Sequence, residues 1–345
     1  MKISILIPCH NEEKSIQACV FSCLNQTRLP DQIIVVNDGS TDRSAEILAS
    51  FGDAIQVITI PVATGNKSHA QELGLQYVTG DIFVATDGDT VLDKDFVKYV
   101  EEDFMLYPDH SALGGYIRSV KHNWLTACRA FEYSVGQNLH KLAQHHLGFL
   151  FVIPGAAGVF KTADFKKYIS FEHDTLTEDL DFTYRLHQLD LKVLYDRRLV
   201  VFTQDPANLH SYINQVRRWF GGGWQCLRKH YKLATLQPKV ALELSIMYVE
   251  GLVFSILLFV LPFLSLEFYL YFILSYFVLA TSFAIFAAIK EKRPELLLVP
   301  IPYILLVFIN AYVFLEQMVK EIFFVQKNLH WFQPQRFDSV EQNTN

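Results

Sequence analysis

Several acidic positions in this chain have the type and spacing to hold and activate a phosphorylated ligand. Asp38 stands in the turn Asn37-Asp38-Gly39-Ser40, directly after the apolar run QIIVVN (32–37). A carboxylate there can accept hydrogen bonds from a nucleobase or ribose, and the neighbouring glycine permits a tight turn. Asp87-Gly88-Asp89 follows a second run, DIFVAT (81–86). Carboxylates two residues apart at a strand end point to one side and can share a hard divalent cation such as Mg²⁺ or Mn²⁺. Such an ion would neutralise a diphosphate and stabilise it as a leaving group. Thr177-Glu178-Asp179 opens a helix over about residues 178–189. Asp179 is suited to take a proton from an acceptor hydroxyl, and the helix N-terminus would keep it ionised.

Gln215, Arg218 and Trp219, spaced i, i+3 and i+4, share one helix face. Arginine can pair with a diphosphate, and tryptophan can stack on a sugar ring. The segment 211–233 also reads as an amphipathic helix on a membrane surface, with Tyr212, Val216 and Phe220 beneath and Arg217 and Arg228 at head groups. Lys67, in Gly65-Asn66-Lys67, can reach a phosphate. His140, His145 and His146 lack a ligand-like repeat and read as surface or core residues.

The elements that must position these groups alternate in type. Ile3–Ile7, Gln32–Asn37, Ala54–Ile60 and Asp81–Thr86 read as strands. Glu12–Asn25, capped by Asn11, then Thr41–Phe51 and Ser68–Val78 read as the intervening helices. Continuous apolar strands alternating with helices predict a parallel sheet covered on both faces, with ligands outside the carboxyl ends of the strands.

The chain has 345 residues, 51% hydrophobic and 14% aromatic, and the apolar excess is concentrated after residue 235. Val240–Leu264, Phe268–Ile289 and Leu296–Val319 are each long and apolar enough to cross a bilayer, which needs about 20 residues. The expected division is a catalytic domain over 1–235, a membrane region over 236–326 and a polar tail over 327–345. Basic residues before the first span (Arg217 to Lys239) and between the second and third (Lys290, Lys292, Arg293) put the N-terminal domain and the 290–294 loop on the cytoplasmic side. Pro300 and Pro302 would allow the third segment to be re-entrant, returning the tail to that side. No signal peptide is visible, and the five cysteines lack zinc-type spacing and read as reduced thiols. The net charge of −6 argues against a nucleic-acid partner.

The ordered strings IPCHNEE (7–13), VVNDGSTD (35–42), GNKSHAQELGL (65–75), TDGDT (86–90), PGAAGVFK (154–161), TEDLDFTYRL (177–186) and QVRRW (215–219) resemble the glycosyltransferase family 2 membrane synthases. These include the poly-N-acetylglucosamine, chitin-oligosaccharide, hyaluronan and cellulose synthases. The resemblance covers about residues 3–232. It implies an α/β GT-A fold, a Rossmann-like mixed sheet, followed by transmembrane helices. It also implies an inverting hexosyl transfer from a UDP-sugar, such as UDP-N-acetylglucosamine, to a glycan or glycolipid acceptor at the membrane. By the same resemblance, Pro8, Glu12, Asp38, Lys67 and Asp87 contact the nucleotide, and Asp89 with Asp87 holds the metal. Asp179 is the base, with Glu178 beside it, and Gln215, Arg218, Trp219 and Gly155 meet the diphosphate and acceptor. Trp331 and Arg336 resemble a C-terminal pair in many such enzymes. Many relatives have a further basic residue where this chain has Val216. Two other readings are a single transfer to a lipid or polyprenyl phosphate and an inactive carbohydrate-binding membrane subunit.

Overall fold

The computed structural model describes residues 1–236 and 238–325, together with Phe337. Trp331 and Arg336 lie outside the described residues. The order of elements is β1 (Ile3–Cys9), α1 (Ile16–Leu24), β2 (Gln32–Asp38), α2 (Ser44–Ala49), β3 (Gln56–Ile60), α3 (Lys67–Tyr77), β4 (Ile82–Ala85), β5 (Thr90–Leu92), α4 (Phe96–Leu106), β6 (Ala112–Ser119), α5 (Trp124–Val135), α6 (Leu142–Leu147), β7 (Gly158–Lys161), α7 (Thr162–Tyr168), α8 (Glu178–Gln188), β8 (Val193–Thr203) and α9 (Leu209–Lys229). It continues through α10 (Tyr231–Leu236), α11 (Pro238–Leu244), α12 (Gly251–Leu264), α13 (Leu266–Glu291) and α14 (Pro300–Met318).

The described residues fall into two compact units: 1–118 with 144–204, and 119–143 with 205–325. The first holds a mixed sheet of order β3-β2-β1-β4-β7-β6-β8-β5. Strands β1 to β4 are mutually parallel, with Ile5 opposite both Ile33 and Val84, and β7 returns antiparallel against β4 and β6. The central strands β1, β2 and β4 are apolar on both sides because both faces are covered. Ile3, Ile5, Ile7, Ile33 and Val35 pack with α1 and α4 through Ile16, Cys19, Phe96 and Val100. The alternate residues Leu6, Ile34, Val36 and Phe83 pack with α3, α7 and α8 through Ala70, Phe165 and Phe182. Each fully buried side chain of this size contributes about 1.5–3 kcal/mol, so the two layers hold the strand ends in place.

Two local expectations are corrected. Asn11 does not cap α1, which starts at Ile16 after Ser15. Asn11 has φ 51° instead, a left-handed conformation that asparagine tolerates, and its Oδ1 accepts from Thr41 N at 2.8 Å. The third apolar segment is not broken by its prolines. Pro300 occupies the first turn of α14, where a missing N–H costs no intrahelical bond, and the helix continues to Phe323.

In the second unit, three helices are long and apolar enough to cross a membrane: Pro238–Leu264, Leu266–Glu291 and Pro300–Phe323. A shared core joins Leu125 and Phe131 of α5, Tyr212 and Val216 of α9, Ala284 and Ala287 of α13, and Leu306 and Val313 of α14. Both α9 arginines expected at head groups also have protein partners. Arg217 pairs with Glu316 at 2.9 Å, and Arg228 Nη1 donates to the Glu321 carbonyl at 2.7 Å. The apolar residues Tyr212, Val216 and Phe220 of α9 pack against α14.

Candidate active site

Strands β1, β2 and β4 run parallel, so their carboxyl ends and the loops that follow share one edge of the sheet. Pro8, which cannot donate to a ladder, lies beyond the last β1–β4 pair, Leu6 with Ala85. Glu12 is buried after β1; its N–H donates to Ser44 Oγ at 2.8 Å, and its carboxylate accepts from Ser15 Oγ at 2.6 Å. Asp38 ends β2 and is 5% exposed. Its two carboxylate oxygens accept from Thr64 N at 2.9 Å and Thr64 Oγ1 at 2.7 Å, which fastens the 61–66 loop over the strand end. The next residue must be glycine: Gly39 has φ +58°, and a Cβ there would lie 2.2 Å from Ala63 N.

Asp87 and Asp89 occupy the turn between β4 and β5, not an extension of β4. The two-residue periodicity expected of them therefore does not apply, and their carboxylates have different partners. Asp87 Oδ1 lies 2.5 Å from Lys67 Nζ. Asp89 Oδ1 accepts from Thr90 Oγ1 at 3.0 Å. Gly88 between them allows close packing, since a Cβ there would lie 3.2 Å from the Pro8 carbonyl oxygen.

Lys67 is the first residue of α3, and Asn66 caps that helix by accepting from Ser68 N at 3.0 Å. The lysine Nζ also lies 3.0 Å from Glu178 Oε1 at the start of α8. Burial alone would lower the Lys67 pKa, but Asp87 and Glu178 outweigh it and raise it above the usual lysine value. Asp179, the next residue of α8, accepts from Gly155 N through Oδ2 at 3.3 Å and from Leu180 N through Oδ1 at 2.9 Å. Gly155 is the point where these groups converge. A Cβ built on it would lie 3.1 Å from Lys67 Nζ, 3.5 Å from Glu178 Oε1 and 3.7 Å from Asp179 Cβ.

The fold thus gathers Lys67, Asp87, Gly155, Glu178 and Asp179, which are distant in sequence, with Asp38 at the end of β2 and Asp89 in the β4–β5 turn. Asp87 and Asp89 offer oxygen ligands only, and no third His, Cys, Asp or Glu of the described residues joins them in a compact cluster. A pair of carboxylates suits Mg²⁺ or Mn²⁺, which completes its shell with diphosphate oxygens and water. The donor set therefore fits the expected ion.

Gln215, Arg218 and Trp219 lie on α9, in the second unit. There the Arg129 guanidinium sits 4.7 Å from the Trp219 ring centroid. Arg129 is 4% exposed and pairs with Glu132 and, at 3.3 Å, with Asp205. The sequence reading missed this residue. Its signal was a charge four residues after Leu125, on the stripe that includes Cys128, where an unpaired charge is rarely buried. His140, His145 and His146 join no ligand cluster among the described residues.

Solved structures share this architecture. The mannosyltransferase PcManGT from Pyrobaculum calidifontis, solved with GDP-Man and Mn²⁺, superposes with a TM-score of 0.65 at 16% identity, over 94% of this chain and 88% of that one. S. aureus TarS 1–349, solved with UDP-GlcNAc, gives 0.51 at 17% identity, over 68% and 72%. The fold is that of a GT-A glycosyltransferase, a Rossmann-like mixed sheet with membrane-length helices after it. Residues 4–165 match the model of the Glycosyl transferase family 2, so the chain carries a domain of that family. Among curated proteins, a poly-beta-1,6-N-acetyl-D-glucosamine synthase of Staphylococcus epidermidis is 29% identical over 287 residues, 82% of this chain and 69% of the relative. Other staphylococcal synthases of that name are spanned over 58–59% of their length.

Proposed function

We propose that this protein is a membrane-embedded inverting glycosyltransferase that moves a sugar from a UDP-sugar, UDP-N-acetylglucosamine first among candidates, to a hydroxyl of a growing glycan. The convergence of Asp179 and Gly155 on the Lys67–Asp87–Glu178 cluster carries the reading. It brings a carboxylate base beside the group that would meet the diphosphate. The likeness to the staphylococcal poly-beta-1,6-N-acetyl-D-glucosamine synthases supports the sugar and the polymeric acceptor. The fold shared with TarS 1–349, which was solved with UDP-GlcNAc bound, supports the donor.

Asp38 is assigned to the nucleoside, with Pro8 and Glu12 shaping the same strand ends. Its carboxylate retains acceptor capacity beyond the two bonds to Thr64. Asp89, with Asp87, is assigned to Mg²⁺ or Mn²⁺, which when bound would offset the charge of the departing diphosphate. Lys67 supplies a fixed cation at the same place. Asp179 takes the acceptor proton, held in orientation by the Gly155 and Leu180 N–H groups, while the acceptor oxygen attacks the anomeric carbon opposite UDP. Gln215, Arg218 and Trp219 are assigned to diphosphate and acceptor.

The membrane assignment rests on the three apolar helices, in which only 22–33% of the most apolar stretch is buried within the protein. The exposed remainder suits lipid, and every backbone group in a helix is satisfied internally. We assign 1–235 to the cytoplasmic catalytic domain, from the basic loops that flank the spans.

The test is UDP release by the purified full chain with a panel of UDP-sugars, with and without Mn²⁺. Asp179→Asn should lower kcat by about 10²–10⁴-fold while donor binding persists. Turnover near wild type in that variant, with Asp87 still required, would remove Asp179 as the base. No UDP release from any donor would overturn the enzymatic reading.

A further inference from the structure

A second group of potential ligands lies on the catalytic unit, apart from the aspartates discussed above. His69 and Glu72 are one turn apart on α3 and share a face. His173, in the segment between α7 and α8, reaches them from the other side. His173 Nε2 is 2.8 Å from Glu72 Oε2, and its ring stacks on that of His69 with centroids 3.7 Å apart and planes inclined by 25°. One ligand atom from each of the three residues lies within 4.8 Å of the other two.

The bonding within the group is incomplete. The His69 ring makes no side-chain hydrogen bond among the described residues; its partner is the stacked His173 ring. His173 Nδ1 is buried and unpartnered, so Nε2 is the nitrogen turned toward the carboxylate. His69 and Glu72 are exposed, which leaves room for an ion and a solvent ligand. Stacked imidazoles beside a carboxylate gain little from one another, whereas a divalent cation would use all three.

We propose that His69, Glu72 and His173 form a binding site for a borderline transition-metal ion, Zn²⁺ being the best fit. Two imidazoles and one carboxylate make a three-protein-ligand set that leaves a fourth position for water. Imidazole ligands favour zinc over Mg²⁺, which separates this site from the all-oxygen pair Asp87 and Asp89. Metal bonds of about 2.0–2.2 Å require the His173–Glu72 contact to open slightly and the two rings to swing apart.

The bound ion would tie the segment before α8 to α3. That segment is held from its other side by Arg185, which pairs with Glu172 and Asp181 at 3.0 Å each. Helices α3 and α8 begin with the paired residues Lys67 and Glu178. The site therefore clamps the two elements that carry the cluster, and its occupancy should raise stability without taking part in the chemistry.

The experiment is a Zn²⁺ titration of tag-free full-length protein in detergent, with excess Mg²⁺ present, read by bound-metal stoichiometry and thermal melting. Co²⁺ absorption serves as a second probe of imidazole ligation. One Zn²⁺ should bind despite Mg²⁺, and each of His69→Gln, Glu72→Gln and His173→Gln should weaken it at least tenfold and remove the zinc-dependent rise in melting temperature. Asp89→Asn should bind Zn²⁺ as the wild type does, which distinguishes this site from the proposed catalytic one. The proposal is overturned if the wild type binds no Zn²⁺ under Mg²⁺, or if the exposed-position variants His69→Gln and Glu72→Gln, folded by their melting curves, bind it unchanged.

Discussion

Lys67 Nζ bridges Asp87 Oδ1 at 2.5 Å and Glu178 Oε1 at 3.0 Å, joining the turn after β4 to the first residue of α8. Its side chain is only 14% exposed, so the two ion pairs are poorly screened by water. Replacing it by methionine leaves two carboxylates facing each other without their cation. Lys67→Met should lower kcat/KM for UDP release by about 10²-fold, the usual scale for removing one preorganised charge-stabilising group. The raised pKa sets the pH behaviour of this pair. Its contribution to stability is complete below the ordinary lysine value and is lost only as pH rises through the higher folded value. A pH–rate profile at neutral and mildly alkaline pH should show no limb that disappears with Lys67→Met; finding one would contradict the bridge.

Gly155 is packed against this bridge from above. The Cβ of Gly155→Ala would press on Lys67 Nζ at 3.1 Å, and a lysine terminus can yield by a few tenths of an ångström. The cost to stability should be about 1 kcal/mol or less, but the ammonium is displaced where it meets Asp87 and Glu178. A loss in kcat of roughly ten- to a hundredfold with near-unchanged melting is the expected outcome. Equal loss of melting temperature and activity would mean that the glycine serves the fold alone.

Arg129 in the second unit is buried with Glu132 and Asp205 and lies against Trp219. Burial opposes its charge, yet Glu132 and the other groups around it hold its pKa above the usual arginine value. Arg129→Met strands two carboxylates and should cost about 3–5 kcal/mol, visible as a lower denaturation midpoint in detergent. Arg129→Lys should recover only part of this, because an ammonium cannot reproduce the planar contact with the Trp219 ring. Full recovery by lysine would show that charge alone matters here.

Asp103 on α4 supplies a pH dependence. Burial, and then Asp196 beside it, pushes its pKa up to about 7, against the pull of Arg198 at 2.6 Å. The folded state thus binds more protons at this site than the unfolded chain does. Its contribution to stability is fully present below the unfolded carboxylate value and is lost as pH rises through about 7. Thermal melts across pH 4–8 should show this decline, and Asp103→Asn should flatten it. A slope unchanged by the substitution would place the titration elsewhere.

Much of the sheet was legible from residue pattern alone, because a strand buried on both faces must be continuously apolar. Ile3–Ile7 and Gln32–Asn37 fall within β1 and β2, and Asp81–Thr86 brackets β4. The three apolar segments were visible for a similar reason, since length and hydropathy are properties of the chain. The α1 start was misread because Asn11 is a helix-capping type whose backbone turns left-handed here and whose side chain serves Thr41 instead.

By itself the sequence determined the element order, the apolar spans and the aspartates that follow parallel strands, because composition and period are local quantities. Only the tertiary structure decided which partners those aspartates meet. Asp87 meets Lys67 Nζ, and Asp89 accepts from the Thr90 hydroxyl. Lys67 and Glu178, more than a hundred residues apart, come within 3.0 Å because α3 and α8 cover the same face of the sheet. The pairing of buried charges, here as at Arg129, depends on which helices share a face, and no local pattern specifies that.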